Sequence, residues 1–192
     1  MESMEQAREQ VEWAKGQAVK TLLEYGNHRS ILVGFTPEGE QDLVLDVASV
    51  PPSARWPLLR GVLMMVGAVG YVLIDEAWVH RPRPDEIETI GGDAPGQGLV
   101  RRRPGVPMPR DHPDRREALL VHWQFKLPGA GEWAGLWQQL FRHEGEAIVV
   151  EEVEDMPEAD LSGRAVHLLD PAPGDEPMVP DEILRNMVDK SK

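Results

Sequence analysis

Histidine and carboxylate side chains crowd the ends of two apolar stretches, 71–80 and 116–125, and the segment between them. His80, Asp85, His112, Asp114 and His122 are the right types for a metal centre or a general base, since imidazole nitrogen and carboxylate oxygen serve both. Strand ends flanking a loop can bring such groups together. No two of them stand at a ligand spacing such as His-x-x-x-His. The competing reading makes His112-Pro113-Asp114-Arg115 a turn from loop into strand, with Asp111 or Asp114 capping backbone N–H groups and His112 exposed. That reading is favoured, so no metal and no cofactor is expected.

A second group is Glu76 and Glu117 with Arg115 and Arg116. A glutamate whose pKa is raised by burial can act as general acid or base. Glu76, His112 and Glu117 are therefore the catalytic candidates for a small hydrolase-like enzyme. With each carboxylate on an arginine, the same residues only fasten the two ends of the loop. Structural ion pairs outnumber catalytic carboxylates, which favours fastening.

Six arginines, Arg101, Arg102, Arg103, Arg110, Arg115 and Arg116, stand against Asp111 and Asp114 in the segment 101–116, a local balance of 6 − 2 = +4. The guanidinium fork suits phosphate or an acidic partner. No aromatic residue is interleaved with the arginines, which speaks against single-stranded nucleic acid. Alternatively the tract lies against residues 144–160, which hold eight acidic residues and no Lys or Arg. Of the tryptophans, Trp56, Trp78 and Trp123 read as core. Trp133 and Trp137 are the better interface candidates.

The elements that must position these groups follow from periodicity. Residues 3–25 predict a helix opened by a Ser3/Gln6 capping box and stopped at Gly26-Asn27. Its apolar face (Ala7, Val11, Ala14, Ala18, Leu22, Tyr25) is narrow, which places it at the side of the domain. Residues 30–48 predict a hairpin around Thr36-Pro37-Glu38-Gly39. Ser53 can cap a helix running to about Gly67, apolar nearly all round and so expected to be the most buried one.

The stretch 71–80 alternates as a strand, with Tyr71, Leu73, Asp75, Ala77 and Val79 on one face and Val72, Ile74, Glu76, Trp78 and His80 on the other. Residues 81–114 show no clear periodicity, apart from a possible short edge strand at Leu99-Val100. A second strand, 116–126, again alternates. Trp133, Leu136, Trp137, Leu140 and Phe141 recur at helical spacing and predict a short helix. Ala147 to Val153 reads as a strand, and 161–169 as a possible last one. A proline-rich linker then leads to a C-terminal helix within 171–192. The expected fold is α+β: one domain over 1–170, a single mixed or mainly antiparallel sheet of about five strands, and helices packed on one side of it.

Composition narrows the function. The chain has 192 residues and a formal charge of 20 − 33 = −13, so it repels bare nucleic acid and anionic membranes outside any local basic patch. It has no cysteine, which excludes thiolate zinc sites, disulfides and a cysteine nucleophile, and which fits the cytoplasm. Met1 to Glu5 lacks the features of a signal peptide, and the most apolar run, 61–74, is too short to span a bilayer. There is no phosphate loop, no Gly-x-Ser-x-Gly elbow and no His-Glu-x-x-His.

Glu76-Ala77-Trp78 closing one strand, and His112-Pro113-Asp114-Arg115-Arg116-Glu117 opening the next, resemble a family of small uncharacterised bacterial and phage-associated proteins. The resemblance covers roughly residues 1–125 and implies the same opening order of helix, hairpin, helix and strand. It implies no activity. The expectation is a non-enzymatic interaction or regulatory protein that acts on a protein partner through the charged loop and the acidic surface. A small hydrolase-like enzyme and a homo-oligomeric structural protein are the alternatives.

Overall fold

A computed structural model of the chain describes residues 1, 3–37, 41–51, 54–80, 82–90, 99–156 and 168–170. Among these, two helices pack against one antiparallel sheet of six strands, and a separate two-stranded ribbon projects from it.

Helix α1 spans Met4–Tyr25. Ser3 and Gln6 exchange the two reciprocal bonds of a capping box, and Gly26 ends the helix in a left-handed conformation (φ 77°) whose N–H reaches the Leu22 carbonyl. That conformation suits glycine because it lacks a Cβ. Strands β1 (Ile31–Phe35) and β2 (Gln41–Asp46) form the expected hairpin. Helix α2 spans Arg55–Met65. Its N-cap position is Ala54, with no side-chain bond, while the expected cap Ser53 lies outside the described residues.

Strand β3 (Gly70–Val79) pairs on one side with β1 and on the other with β6 (Arg116–Leu127). Strands β7 (Gly131–Glu144) and β8 (Ala147–Met156) complete the order β2-β1-β3-β6-β7-β8. Within the connection from β3 to β6, β4 (Ile87–Ile90) and β5 (Leu99–Arg102) pair antiparallel as a sheet of their own. The strand expected at Leu99-Val100 is thus present, but it does not edge the main sheet. A 3-10 turn over Pro109–Asp111 follows and lies against β3.

The strand alternation sorts the core into two layers. Val72 and Ile74 of β3 with Leu119, Val121, Trp123 and Phe125 of β6 meet α1 through Ala7, Val11, Ala14, Ala18 and Leu22. Tyr71 and Leu73 of β3 with Leu32, Leu43 and Leu45 of the hairpin meet α2 through Leu58, Leu59, Val62 and Leu63. The helices therefore cover opposite faces, not one side. The alanines of α1 let it approach the sheet closely and cap the larger apolar layer, so it is not peripheral. Conversely α2 is not buried all round, since Met64 is 67% exposed.

The segment expected to be a helix, Trp133 to Phe141, is strand β7. Trp133, Gly135, Trp137 and Phe141 sit opposite Phe125, Trp123, Val121 and Glu117 of β6. Their intervening neighbours Leu136 and Leu140 face the other way, so both faces carry apolar residues and the spacing imitates a helix. Leu168, at the far end of the described chain, is buried in the α2 layer. Gln124 holds the adjoining backbone by accepting the Leu169 N–H and donating to Asp170. Residues 168–170 form a turn, and the strand and C-terminal helix expected within 161–192 otherwise lie outside the described residues.

Candidate functional site

The chemistry-bearing residues of the loop converge at the root of the β4–β5 ribbon. His80 follows directly on the last residue of β3, and His112 sits just beyond the 3-10 turn. Between them in sequence, Arg83-Pro84-Asp85-Glu86 makes a tight turn closed by Glu86 N–H on the Arg83 carbonyl (2.9 Å). Proline presets the second position of such a turn. Glu86 is delivered inward, immediately before β4, and its own carbonyl takes the Arg103 N–H (2.8 Å) that continues the ribbon.

The Glu86 carboxylate is buried and saturated. His80 Nε2 lies 2.8 Å from Oε2, and His112 Nε2 lies 3.0 Å from Oε1. The Arg83 backbone N–H donates to Oε2 (2.7 Å) and its guanidinium to Oε1 (2.8 Å). The Arg83 N–H and then His80 hold the Glu86 carboxyl down to about 2, against the opposing effect of burial. The imidazoles stack with centroids 3.5 Å apart. Asp114 N–H donates to His112 Nδ1 (3.0 Å), which fixes the tautomer: the His112 proton is on Nε2 and points at Glu86.

Exposure of the His80, His112 and Glu86 side chains is 3%, 3% and 6%. His112 is thus interior, not the exposed turn residue expected, and it is His112 that satisfies the Asp114 backbone, not an aspartate that caps the turn. Of the other expected ligands, Asp85 and Asp114 stay on the surface beside Arg83, at 3.8 and 3.6 Å. His122 lies on the α2 side of the sheet near Asp75, with its Nδ1 buried and without a hydrogen-bond partner among the described residues.

The carboxylates Glu76 and Glu117 occupy a second place. With Ala77, Trp78 and Phe141 they line a small cleft of about 130 Å³. Glu76 accepts the His28 backbone N–H. Burial pushes its carboxyl up, with Glu117 adding to the shift. Glu117 faces His143 at 3.7 Å. The expected arginine–glutamate fastening is not formed: among the described residues neither carboxylate is held by an arginine. Arg115 stacks its guanidinium over Trp78 at 4.7 Å, and Arg116 pairs with Glu151 of β8. The catalytic candidates are thereby divided, with Glu76 and Glu117 at the cleft and His112 at the ribbon root.

The remaining binding candidates separate just as clearly. Arg101 lies in β5, opposite Glu88 of β4. Arg102 reaches the Pro107 carbonyl and Arg103 the Ile87 carbonyl, while Arg110 meets only the exposed Asp111. Among the described contacts of the six arginines, Arg116 is the one that reaches the acidic strand. Trp137 is buried in the α1 layer, and Trp133 packs on it beside Trp123 and Phe125. Neither presents the free aromatic face expected of a helix.

The third member of the His80–His112 cluster is Glu86, the residue after the expected ligand Asp85. The signal was the turn itself, because Pro84-Asp85 at its centre makes Glu86 the residue that re-enters the fold. No family model matches the chain, and neither a curated protein nor a solved structure does. No helix among the described residues is long and apolar enough to cross a membrane.

Proposed function

We propose that the protein is a non-enzymatic, cytoplasmic interaction protein that engages an acidic protein partner through the arginines of the β4–β5 arm. One observation carries this reading. A saturated buried carboxylate anchors the root of the arm, while Arg103 directly after β5 and Arg110 in the 3-10 turn that follows stand exposed in a chain of net charge −13. A carboxylate with every acceptor position engaged is poorly placed to take a proton from a substrate. Its evident work is to hold the arm. The resemblance carried by Glu76–Trp78 and His112–Glu117 extends the proposal to a phage or mobile-element setting.

The test compares the wild type with Arg103→Glu/Arg110→Glu in cross-linking capture, at low and high salt, with duplex and single-stranded DNA as separate probes. The expected result is one protein captured in a salt-sensitive way and lost in the variant, with no DNA retained. Capture of the same protein by the variant, or preferential retention of DNA, refutes the reading.

A second reading rests on the raised carboxyl of Glu76 beside Glu117 and His143, an arrangement suited to general acid–base work in a hydrolase-like enzyme. The cleft of about 130 Å³ is small against the roughly 300–1,000 Å³ of ordinary ligand pockets. Equal turnover by the wild type and Glu76→Gln across ester, phosphate and glycoside substrates removes this reading. The third alternative, self-association, meets an obstacle at β8, the last strand of the sheet among the described residues, which carries Glu151 and Glu152, because charged edges resist strand pairing.

A further inference from the structure

We infer that His80, Glu86 and His112 form a site for a divalent transition metal of the zinc class, which locks the root of the β4–β5 arm. This goes beyond the proposed partner and does not depend on it. The three donors come from three separate segments: the end of β3, the turn before β4, and the loop before β6. Their ligand atoms all lie within 4.8 Å of one another.

Zinc holds imidazole nitrogen and carboxylate oxygen at about 2.0–2.2 Å, so neighbouring ligands of a tetrahedral centre stand roughly 3.3 Å apart. The Nε2–carboxylate separations here are 2.8 and 3.0 Å. The two separations run to different oxygens, Oε2 for His80 and Oε1 for His112, so an ion shared by both rings meets the carboxylate between its oxygens and moves each ring outward. Two imidazoles with one carboxylate select zinc, cobalt, nickel or iron over calcium or magnesium, which prefer all-oxygen shells. Outer support for the carboxylate is already present in the Arg83 backbone N–H. The Arg83 guanidinium opposes a cation, but it is 60% exposed and can swing away into solvent.

Uptake has a defined proton balance. In the hydrogen-bonded arrangement His112 carries its proton on Nε2, because Nδ1 accepts from Asp114 N–H. Coordination uses the Nε2 lone pair of both rings, and His80 Nε2 likewise points a proton at Glu86 Oε2, so in each ring that proton moves to Nδ1 and a neutral ring releases no net proton. The His112 Nδ1–H then meets the Asp114 N–H as a second donor, and that bond must open. The exposed Asp114 carboxylate, two residues along, is an available replacement acceptor. Three protein ligands leave a fourth position for water. The near-complete burial of the three side chains makes the ion a fastener of the arm and not an open catalytic centre.

The full chain, stripped by chelator, is titrated with Zn2+ and in parallel with Co2+. The expected result is stoichiometric Zn2+, visible bands of low-symmetry Co2+, and affinity at least ~10-fold weaker in His80→Gln and in His112→Gln. Nitrogen NMR of the histidine rings supplies the second measurement, which does not depend on the variants folding. On Zn2+ addition the His112 proton should pass from Nε2 to Nδ1. Sub-stoichiometric binding, undiminished affinity in both folded variants, or unchanged His80 and His112 nitrogens at saturation overturns the inference.

Discussion

His80 and His112 lie face to face, 18° from parallel, and both turn Nε2 toward the two oxygens of a single carboxylate, Glu86. The stack joins the exit of β3 to the approach of β6, so the arm between them is closed at its base by side chains as well as by the sheet. Removing the carboxylate leaves buried donors without an acceptor, which costs more than the bond itself contributes. Glu86→Ala is expected to lower the melting temperature and to speed tryptic cleavage after Arg101 and Arg102 several-fold. Glu86→Gln, which keeps an acceptor, should lie between it and the wild type. Limited proteolysis followed by mass mapping measures this.

Acid should weaken the same clasp. The folded Glu86 carboxyl is held at about 2, below an unfolded value of roughly 4.3. Its contribution is then complete above about pH 4.3 and is lost as the pH falls toward about 2. Denaturation midpoints of the wild type should fall across that window, and those of Glu86→Gln should fall less.

Glu76 should behave in the opposite sense. Its folded carboxyl is raised, chiefly by burial, so stability declines as the pH climbs from the unfolded value through the folded one. Above the folded value the cost is fully present. Glu76→Gln, which retains an acceptor for the His28 N–H, is expected to be neutral to stabilising at pH 7, where Glu86→Gln is destabilising. A matched pair of urea melts compares them.

His122 is lowered by burial, so it costs stability as the pH drops below about 6.5 and the unfolded chain takes up the proton first. His122→Leu removes this slope and spares an unpartnered buried Nδ1. The difference between wild type and variant should be largest in mildly acidic buffer. His28, also lowered by burial, remains in both proteins and cancels.

Gly70 faces Phe125 across the β3–β6 ladder, and a Cβ there would stand 2.1 Å from the ring carbon Cδ1. Gly70→Ala should cost about 1–3 kcal/mol through overpacking. Phe125→Leu in the same chain should restore part of the loss, as read from a double-mutant cycle by chemical denaturation.

Much of the sheet was legible in the chain. In β3 and β6 the residues of the α1 layer (Val72, Ile74, Leu119, Val121, Trp123, Phe125) alternate with neighbours that face the other way, so the period of two stays clear. Strand β7 is different. Trp137 and Phe141 enter the α1 layer while Leu140 is buried on the opposite face, and apolar residues on both sides read as a helical stripe. The opposite placement of the helices was not legible, because an apolar face does not say which side of a sheet receives it. At the site, His80 and His112 stood out by residue type. Glu86 did not, since its two imidazole partners come from opposite ends of a long connection and only the Pro84-Asp85 turn points it inward. The arginine–glutamate pairs failed for a similar reason: Trp78 and Glu151 offered Arg115 and Arg116 better partners than Glu76 or Glu117 did.

Strands β3 and β6 are direct antiparallel neighbours, with Val79 opposite Arg116 as their outermost pair. Every residue of the arm is therefore spliced into what would otherwise be an ordinary hairpin connection. A short turn could replace 81–114 without breaking a rung of the six-stranded ladder. The arm is an insertion: the rungs of that ladder close without it, and the latch of His80, Glu86 and His112 ties its root to the strand ends.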